Sequence, residues 1–457
     1  MSVHSLDGFA WYQKLERVRK LATQDKSTMF NNIGHIIDEE FLYYCYYELD
    51  GSKAVGIDGV TKLGYFKDVH RNIQNLLIRI RRGTYEPKPA KIVEIPKEDG
   101  SKRPLAIACL EDKIIQTAVN LILQAIFEPT FLPCSYGFRP DTGCHEAMKG
   151  LFRLMNDTPK GAIIEIDIRK YFNRVPHVPL KSFLHSRISD SRFLELIDKL
   201  LIAPTINNDG SVEVNNLGVP QGSILSPLLA NIYLHNVIDL WVLDLKKFFR
   251  GTIDVIRFAD DMVFVMSNAI EAQRLYATLP KRLEKYGLEM AAEKSSMLPC
   301  GTWAIRDIVT RKEPMPNFKF LGFEVRWKAL PKLDRRGRKQ YRPIVRPRKD
   351  RTNSRLKDVK EFLRKNLNAK NHKRVLKQVR SVVTGWVNYF SVSDCGSYLW
   401  NFTNQVRRRL YRWFNRRGKK GCMSWVKLQK ILDSMKFEKY PPIRSLHPSM
   451  RKQEIPE

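Results

Sequence analysis

Apolar positions recur along the chain with two periods, and the switches between them outline its parts. Leu15, Val18 and Leu21, then Phe30, Ile33 and Ile36, return at three-residue steps, which predicts helices across residues 10–50. "GIDGVT" (56–61) is a glycine-punctuated turn, and a helical stretch over 66–82 stops at the Gly and prolines of "RIRRGTYEPKP". In "KIVEIPKEDGSKRPLAIA" (91–108) the period changes to two on either side of Asp99-Gly100, a hairpin signal, and Pro96 and Pro104 suit exposed edges. A helix follows over 111–128. "AIIEIDIRKYF" (162–172) alternates as a strand, with Ile164, Ile166 and Ile168 on one side and Ile163, Glu165 and Asp167 on the other. Asp167 therefore ends that strand on its less buried face. Residues 190–202 read as a helix, and "TINNDGSVEVNNLGVPQG" holds a second Asp-Gly hairpin. Ser226 and Pro227 read as the N-cap and first turn of a helix. In "VIRFADDMVFV" (255–265), Asp260 and Asp261 stand between two apolar arms of a third hairpin. A helix over 270–287 and a strand near "NFKFLGFEVRW" complete this part.

Beyond residue 330 the pattern becomes basic and helical. "LDRRGRKQYRPIVRPRK" reads as a linker. Val375, Leu376, Val379, Val382 and Val383 form one apolar stripe, and Leu399, Phe402, Val406, Leu410 and Trp413 another. Three or four amphipathic helices account for them, with Lys/Arg-rich opposite faces as in "VRRRLYRWFNRRGKK". Trp386 and Tyr389, three apart on one face, read as core rather than as base-stacking residues. The terminal "SMRKQEIPE" reads as loose.

At 457 residues, 43% of them apolar, the chain is expected to form two or three packed domains. Charge changes the picture most. The balance of 79 Lys and Arg against 48 Asp and Glu leaves +31, and residues 331–421 alone hold 28 basic and 5 acidic residues, a net +23. So one-sided a segment points to a polyanion rather than to a mixed solubilising surface. Seven cysteines without a CxxC pair argue against a zinc ribbon or a disulfide scaffold. No apolar run approaches about 18 residues, so no membrane partner is expected. The N-terminus lacks a signal-peptide core. A reducing cytoplasm, in bacteria the cytoplasm or nucleoid, is the expected location.

The candidate chemistry lies in three carboxylates. If the Asp260–Asp261 hairpin pairs beside the strand ending at Asp167, the three meet, and their repulsion calls for a shared proton or a cation. Mg²⁺ suits such a site, being hard and held by one or two carboxylates plus substrate phosphates. Two such ions about 3.5–4 Å apart serve in-line phosphoryl displacement. Taken alone, an Asp-Asp pair is more often a turn than a metal site, and "VPQG" a loop before a helix.

The order of elements goes further. "SYGFRPDTGCHEAM", "IEIDIRKYFNRVPH", "GVPQGSILSPLLANIYLH", "IRFADDMVFV", "MAAEKSSML" and "FKFLGFEV" resemble, in order, the successive blocks of group II intron reverse transcriptases. "GIDGVT" and "IPKEDGSKRPLAI" fit the N-terminal blocks, and the basic region with "VVTGWVNYF" resembles the thumb or maturase domain. The likeness spans roughly residues 15–430.

This resemblance implies an α+β fold: a right-hand polymerase with fingers and an antiparallel palm sheet packed with helices, followed by an all-α basic thumb/maturase domain. Expected boundaries are 1–70 for an N-terminal helical extension, 71–330 for fingers and palm, and 331–350 for the linker. The thumb would occupy 351–436 and the tail 437–457. The implied activity is RNA-directed DNA synthesis by two-metal nucleotidyl transfer, together with binding of group II intron RNA. Asp167, Asp260 and Asp261 would be the catalytic carboxylates. With the carbonyl of Ile168 they would hold two Mg²⁺ ions, for which Mn²⁺ could substitute. Phe172 would exclude a 2′-OH, while Lys97, Arg103, Gln221 and Lys294 would contact the deoxynucleoside triphosphate. Arg407, Arg408, Arg409, Arg412, Arg416 and Arg417 would face the RNA template and DNA primer. The sequence sets no oligomeric state. It departs from the family in carrying Phe258 where Tyr is commoner and in lacking cysteine pairs for a zinc nuclease. A domesticated polymerase of host defence or repair, and a non-catalytic splicing maturase, are the alternatives.

Overall fold

A computed structural model describes residues 8–96, 102–207, 209–416, 422–437 and 440–447. The chain forms two compact units, each discontinuous in sequence. One comprises Met1–Cys144, Ile164–Phe264 and Gln273–Ser296; the other comprises His145–Ile163, Val265–Ala272 and Met297–Glu457.

Eleven strands are described, numbered in chain order. The first five are β1 (Ala90–Pro96), β2 (Lys102–Ile107), β3 (Gly161–Ile166), β4 (Thr205–Ile206) and β5 (Val212–Glu213). They continue as β6 (Ile253–Phe258), β7 (Asp261–Met266), β8 (Ser296–Cys300), β9 (Phe318–Phe320), β10 (Phe323–Leu333) and β11 (Lys339–Pro347).

The first unit contains a sheet of order β2-β1-β4-β5. The arms of the expected hairpin pair antiparallel from Lys91↔Ile107 to Pro96↔Lys102, while its Asp99-Gly100 tip lies outside the described residues. Pro104 sits on the edge strand, where its missing N–H costs no ladder bond, and Pro96 lies beyond the Ala90–Lys91 stretch that pairs with β4. The helix Leu110–Phe127 forms the core of this unit, with twelve of its eighteen residues buried. The helices Ala10–Gln24 and Glu39–Glu48 pack on it.

The sheet that carries the aspartates has the order β6-β7-β3-β8. As an interior strand, β3 is buried on both faces save for Glu165, so the expected contrast between its faces is weak. Its neighbour in the order is β7, as the candidate chemistry requires. Gly161 opens β3 because a Cβ there would stand 1.9 Å from the Met266 carbonyl oxygen.

Three sequence expectations change. The stretch 331–350 is not a linker but the second half of a hairpin, in which β11 pairs antiparallel with β10 from Phe323↔Pro347 to Leu333↔Lys339. Alternating Pro343, Val345 and Pro347 turn inward while the charges face out, so a basic composition hid a period-two pattern. The tail is docked up to residue 447: Arg444 bridges Val392, Leu446 is buried, and His447 reaches Asp394 at 3.3 Å. Residues 449–457 lie outside the described part. Finally, Ser226–Leu245 is long and apolar enough to cross a membrane, although the count of uninterrupted apolar residues missed it. Two thirds of its apolar window is buried inside the protein, as are its polar residues Asn231 and Asp239, which marks a core helix.

From Lys349 on, the basic region carries four helices among the described residues, as the two stripes predict: Lys349–Lys365, His372–Phe390, Gly396–Phe414 and Trp425–Ser434. Both apolar stripes are buried apart from the half-buried Val382. Trp386 is buried and stacks on Phe402 at 4.0 Å, so it belongs to the core; Tyr389 is half-buried, and its hydroxyl donates to the Leu321 carbonyl at 2.7 Å.

Gly161→Ala is expected to destabilise the protein by about 1–3 kcal/mol, the range for overpacking, and by more if the backbone cannot shift. Denaturant unfolding measures it; an unchanged midpoint would contradict the tight approach of β3 to Met266.

Candidate active site

The site is assembled within the first unit from four short segments. Asp167 follows the last residue of β3. Its N–H donates to Ser295 Oγ at 3.2 Å, and its carbonyl accepts from the Ala291 N–H at 2.9 Å. The Arg169 N–H donates to the Glu289 carbonyl at 2.9 Å, so Ile168 and Met290 form the unbonded pair between two ladder bonds. In that register the peptide groups of Ile168 face away from Met290, as a carbonyl ligand would require.

The β6–β7 turn brings in Asp260 and Asp261. Its connection is only two residues, and Ala259 takes φ +56°, a left-handed conformation costing a non-glycine residue about 1–2 kcal/mol. Burial pushes the Asp260 carboxyl above its ordinary value; its own backbone N–H opposes this, the Asp167 charge adds to it, and Arg103 and Lys294 pull it back. Lys294 Nζ also lies 3.8 Å from Asp167 Oδ2. Asp167, Asp260, Arg103 and Lys294 therefore share one electrostatic neighbourhood. Asp261 is exposed at the first position of β7. Among the described residues, no three His, Cys, Asp or Glu side chains converge tightly enough to hold a metal ion. What the fold supplies is a repelling carboxylate pair, which suits a divalent cation completed by ligands from a phosphate substrate. Lys97 lies outside the described residues.

Phe172 and Gln221 line a neighbouring cavity of about 280 Å³, together with Pro104, Ala106 and Asn173. Phe172 meets the buried Tyr171 edge-on at 5.6 Å, and its carbonyl accepts from the Val219 N–H at 2.7 Å. The Gln221 carbonyl accepts from the Ala106 N–H at 2.6 Å, and Nε2 donates to Asn173 Oδ1 at 2.8 Å. Gly222 has φ +104°, and a Cβ there would lie 2.8 Å from the Ala106 oxygen, so the close approach of this loop to β2 needs glycine. Ser226 is not the N-cap: Leu225 holds that position, and Ser226 Oγ donates instead to the Pro220 carbonyl at 2.8 Å, tying the loop to its own helix. The Phe258 ring lies 6.4 Å from that of Phe138, at the edge of the turn.

In the second unit the arginine row divides. Arg408 and Arg412 are exposed. Arg407, Arg409 and Arg416 are half-buried: Arg407 donates to Asn404 Oδ1 at 3.3 Å, Arg409 to the Gln405 carbonyl at 2.9 Å, and Arg416 to the Trp413 and Leu367 carbonyls. These three each spend a donor within their own unit. Arg417 lies outside the described residues.

Sequence reasoning passed over Ser295, Asn173 and Arg257. The first two have no local signal. Arg257 had one: on β6 it shares a face with Ile253 and Val255, and a charge on the buried face of a strand demands a partner.

Residues 95–325 match the protein family described as reverse transcriptase (RNA-dependent DNA polymerase), and residues 352–431 match the group II intron, maturase-specific domain. The chain is 36% identical to the group II intron-encoded protein LtrA of Lactococcus lactis subsp. cremoris over 242 residues, 51% of this chain and 39% of that protein. It is 38% identical over 188 residues to protein YkfC of Escherichia coli K12, covering 40% of this chain and 49% of that one. An uncharacterized 91 kDa protein in the cob intron of Schizosaccharomyces pombe is 38% identical over 179 residues, 39% of this chain and 21% of its own length. The matches thus span less than half the length of these relatives.

Because Asp260 is raised above 3.8, its ionisation costs the folded state stability as pH climbs from the ordinary carboxylate range through the raised value. Asp260→Asn should therefore raise the Tm of the metal-free protein at pH 7, with the gain vanishing below about pH 3.8, where the carboxyl is protonated both folded and unfolded. Thermal melts in chelator across that range test this; a lower Tm at pH 7 would contradict it.

Proposed function

The chain belongs to the reverse transcriptase (RNA-dependent DNA polymerase) family, and from that premise we propose that it copies RNA into DNA by nucleotidyl transfer. The observation that carries the proposal is the coupled Asp167–Asp260 pair flanked by Arg103 and Lys294, beside a cavity lined by Phe172 and Gln221.

Each part has a task in that reaction. Reverse transcriptases generally use a divalent metal, and here we propose Mg²⁺, held by Asp167 and Asp260 with Asp261 and the Ile168 carbonyl nearby. When bound, the metal neutralises phosphate charge and lowers the pKa of the attacking hydroxyl. The protein's own groups do the positioning. Arg103 and Lys294 offer positive charge to a triphosphate, which is where charge moves during phosphoryl transfer. The Phe172 ring occupies space that a ribose 2′-OH would need. Gln221, pinned through its carbonyl to β2 and through its amide to Asn173, is held at the rim of the same cavity.

The maturase-type helices supply the second half of the proposal. A group II intron RNA is the partner their family match suggests, in addition to template and primer. Arg408 and Arg412 are the exposed members of the arginine row and would meet phosphates, giving affinity without sequence choice.

Primer extension on an RNA template, with Mg²⁺ and with chelator, tests the activity. Asp260→Asn is expected to lower kcat by about 100-fold or more while RNA affinity stays close to wild type; normal synthesis would overturn the assignment. Phe172→Ala should reduce discrimination against ribonucleotides by roughly tenfold, about 1.4 kcal/mol; unchanged selectivity would remove Phe172 from the sugar site. Replacing Arg408 and Arg412 with Gln should flatten the slope of log K against log salt by roughly 1.5–2. A slope equal to wild type would place both outside the interface.

A further inference from the structure

Arg257 lies directly behind the catalytic turn and is completely buried. A guanidinium carries five N–H donors, and here all five have acceptors. Nε donates to Asp239 Oδ1 at 2.8 Å, and Nη2 to Asp239 Oδ2 at 2.6 Å and Ser135 Oγ at 2.7 Å. Nη1 donates to Asn231 Oδ1 at 2.9 Å and to the Ala259 carbonyl at 3.2 Å. The last bond grips the residue immediately before Asp260.

The acceptors come from three separate segments, each tied to the same turn. In the loop, the Arg257 N–H donates to the Cys134 carbonyl at 2.8 Å, and its own carbonyl accepts from the Tyr136 N–H at 2.8 Å. Gly137 in that loop approaches so closely that a Cβ would stand 2.4 Å from the Ala259 nitrogen. Asn231 joins loop to arginine, because its Nδ2 donates to the Gly137 carbonyl at 2.7 Å while its Oδ1 accepts from Arg257.

Asn231 and Asp239 are eight residues apart, which on an ideal α-helix would put them about 80° apart around the axis. The helix does not continue as α: His235–Asp239 is a π turn, with the Leu240 N–H bonding five residues back to the His235 carbonyl. A π turn advances less around the axis per residue, bringing Asp239 towards the side of Asn231. Such turns are rare and concentrate at functional sites.

We propose that Arg257 is a positioning residue: by holding the Ala259 carbonyl against Asn231, Asp239 and Ser135, it sets where the Asp260 carboxylate stands relative to Asp167. The inference rests on the polymerase reading for the chemistry that Asp260 performs. Arg257 acts through the backbone of the turn, whereas the charges bearing on Asp260 are Asp167, Arg103 and Lys294. A lysine would keep the positive charge but present its donors from one point, unable to span acceptors on three segments.

The test compares wild type with Arg257→Lys and with Ser135→Ala, which removes a single acceptor and no charge. Two quantities are read: kcat per titrated active site with KM for the nucleotide, and Mn²⁺ affinity of the template–primer complex by electron paramagnetic resonance. Arg257→Lys should lower kcat per active site about 100-fold with little change in KM, and weaken Mn²⁺ binding about 10–100-fold. Ser135→Ala should move both in the same direction by less. Variants whose loss only tracks a smaller fraction of active molecules, with wild-type kcat per site and Mn²⁺ affinity, would overturn the proposal. If Arg257→Lys does not fold, Ser135→Ala decides on the same two readouts. A wild type that binds Mn²⁺ but extends no primer would overturn the polymerase reading instead, and the Mn²⁺ arm would still judge Arg257.

Discussion

The candidate site depends on one buried ion pair. Arg257 and Asp239 are both fully buried, and each alone would be costly in the interior. Burial works against the Asp239 carboxylate, but the charge of Arg257, the His235 side chain and the Arg257 hydrogen bonds hold its pKa below the ordinary value; Asp239 in turn keeps the arginine charged. Removing one partner of such a pair costs about 3–5 kcal/mol, whereas replacing both with well-packed apolar groups is often neutral. Stability alone therefore gives little reason for an arginine here. Its distinctive contribution is direction: five donors in a rigid plane fix a loop, a helix and a strained turn with respect to one another, and that turn carries Asp260.

In front of the turn the charge logic reverses. Behind it Arg257 and Asp239 are buried and paired; ahead of it the charges of Asp167 and Asp260 repel, and Arg103 and Lys294, both solvent-facing, compensate them only in part. A site left short of positive charge, with exposed cations at its rim, is suited to a ligand that brings a metal and phosphates together. The cavity beside it is more tightly built. Four of the residues that line it are joined by backbone hydrogen bonds, from Ala106 to Gln221 and from Val219 to Phe172.

The basic surplus does not map simply onto a binding face. A net +23 over residues 331–421 is a statement about long-range attraction, yet Arg407, Arg409 and Arg416 spend donors on their own helices. Arginine stems cover apolar surface as well as carrying charge. In this region the arginines combine both roles, and Arg408 and Arg412 are the members of the row turned fully outward.

Local pattern carried much of this structure. The three-residue recurrence of Leu15 and Val18, the stripes through Val379 and Val406, and the Asp-Asp hairpin after an apolar arm are legible because helix and strand periods are properties of neighbouring residues. Ordered blocks made the polymerase resemblance readable, and the positions of Asp167, Phe172, Gln221 and Asp260 came with it. Misreadings arose where composition masked period, as in the basic strand β11, and where a side chain had a better distant partner than a local one, as at Ser226. The π turn at His235–Asp239 has no sequence period of its own. The five acceptors of Arg257 lie up to 122 residues away along the chain, and no local rule couples positions so distant. Sequence by itself determined the elements, their order and the chemical groups at their ends. Tertiary structure alone decided which of those groups are buried together, because desolvation and hydrogen-bond geometry depend on neighbours in space rather than along the chain.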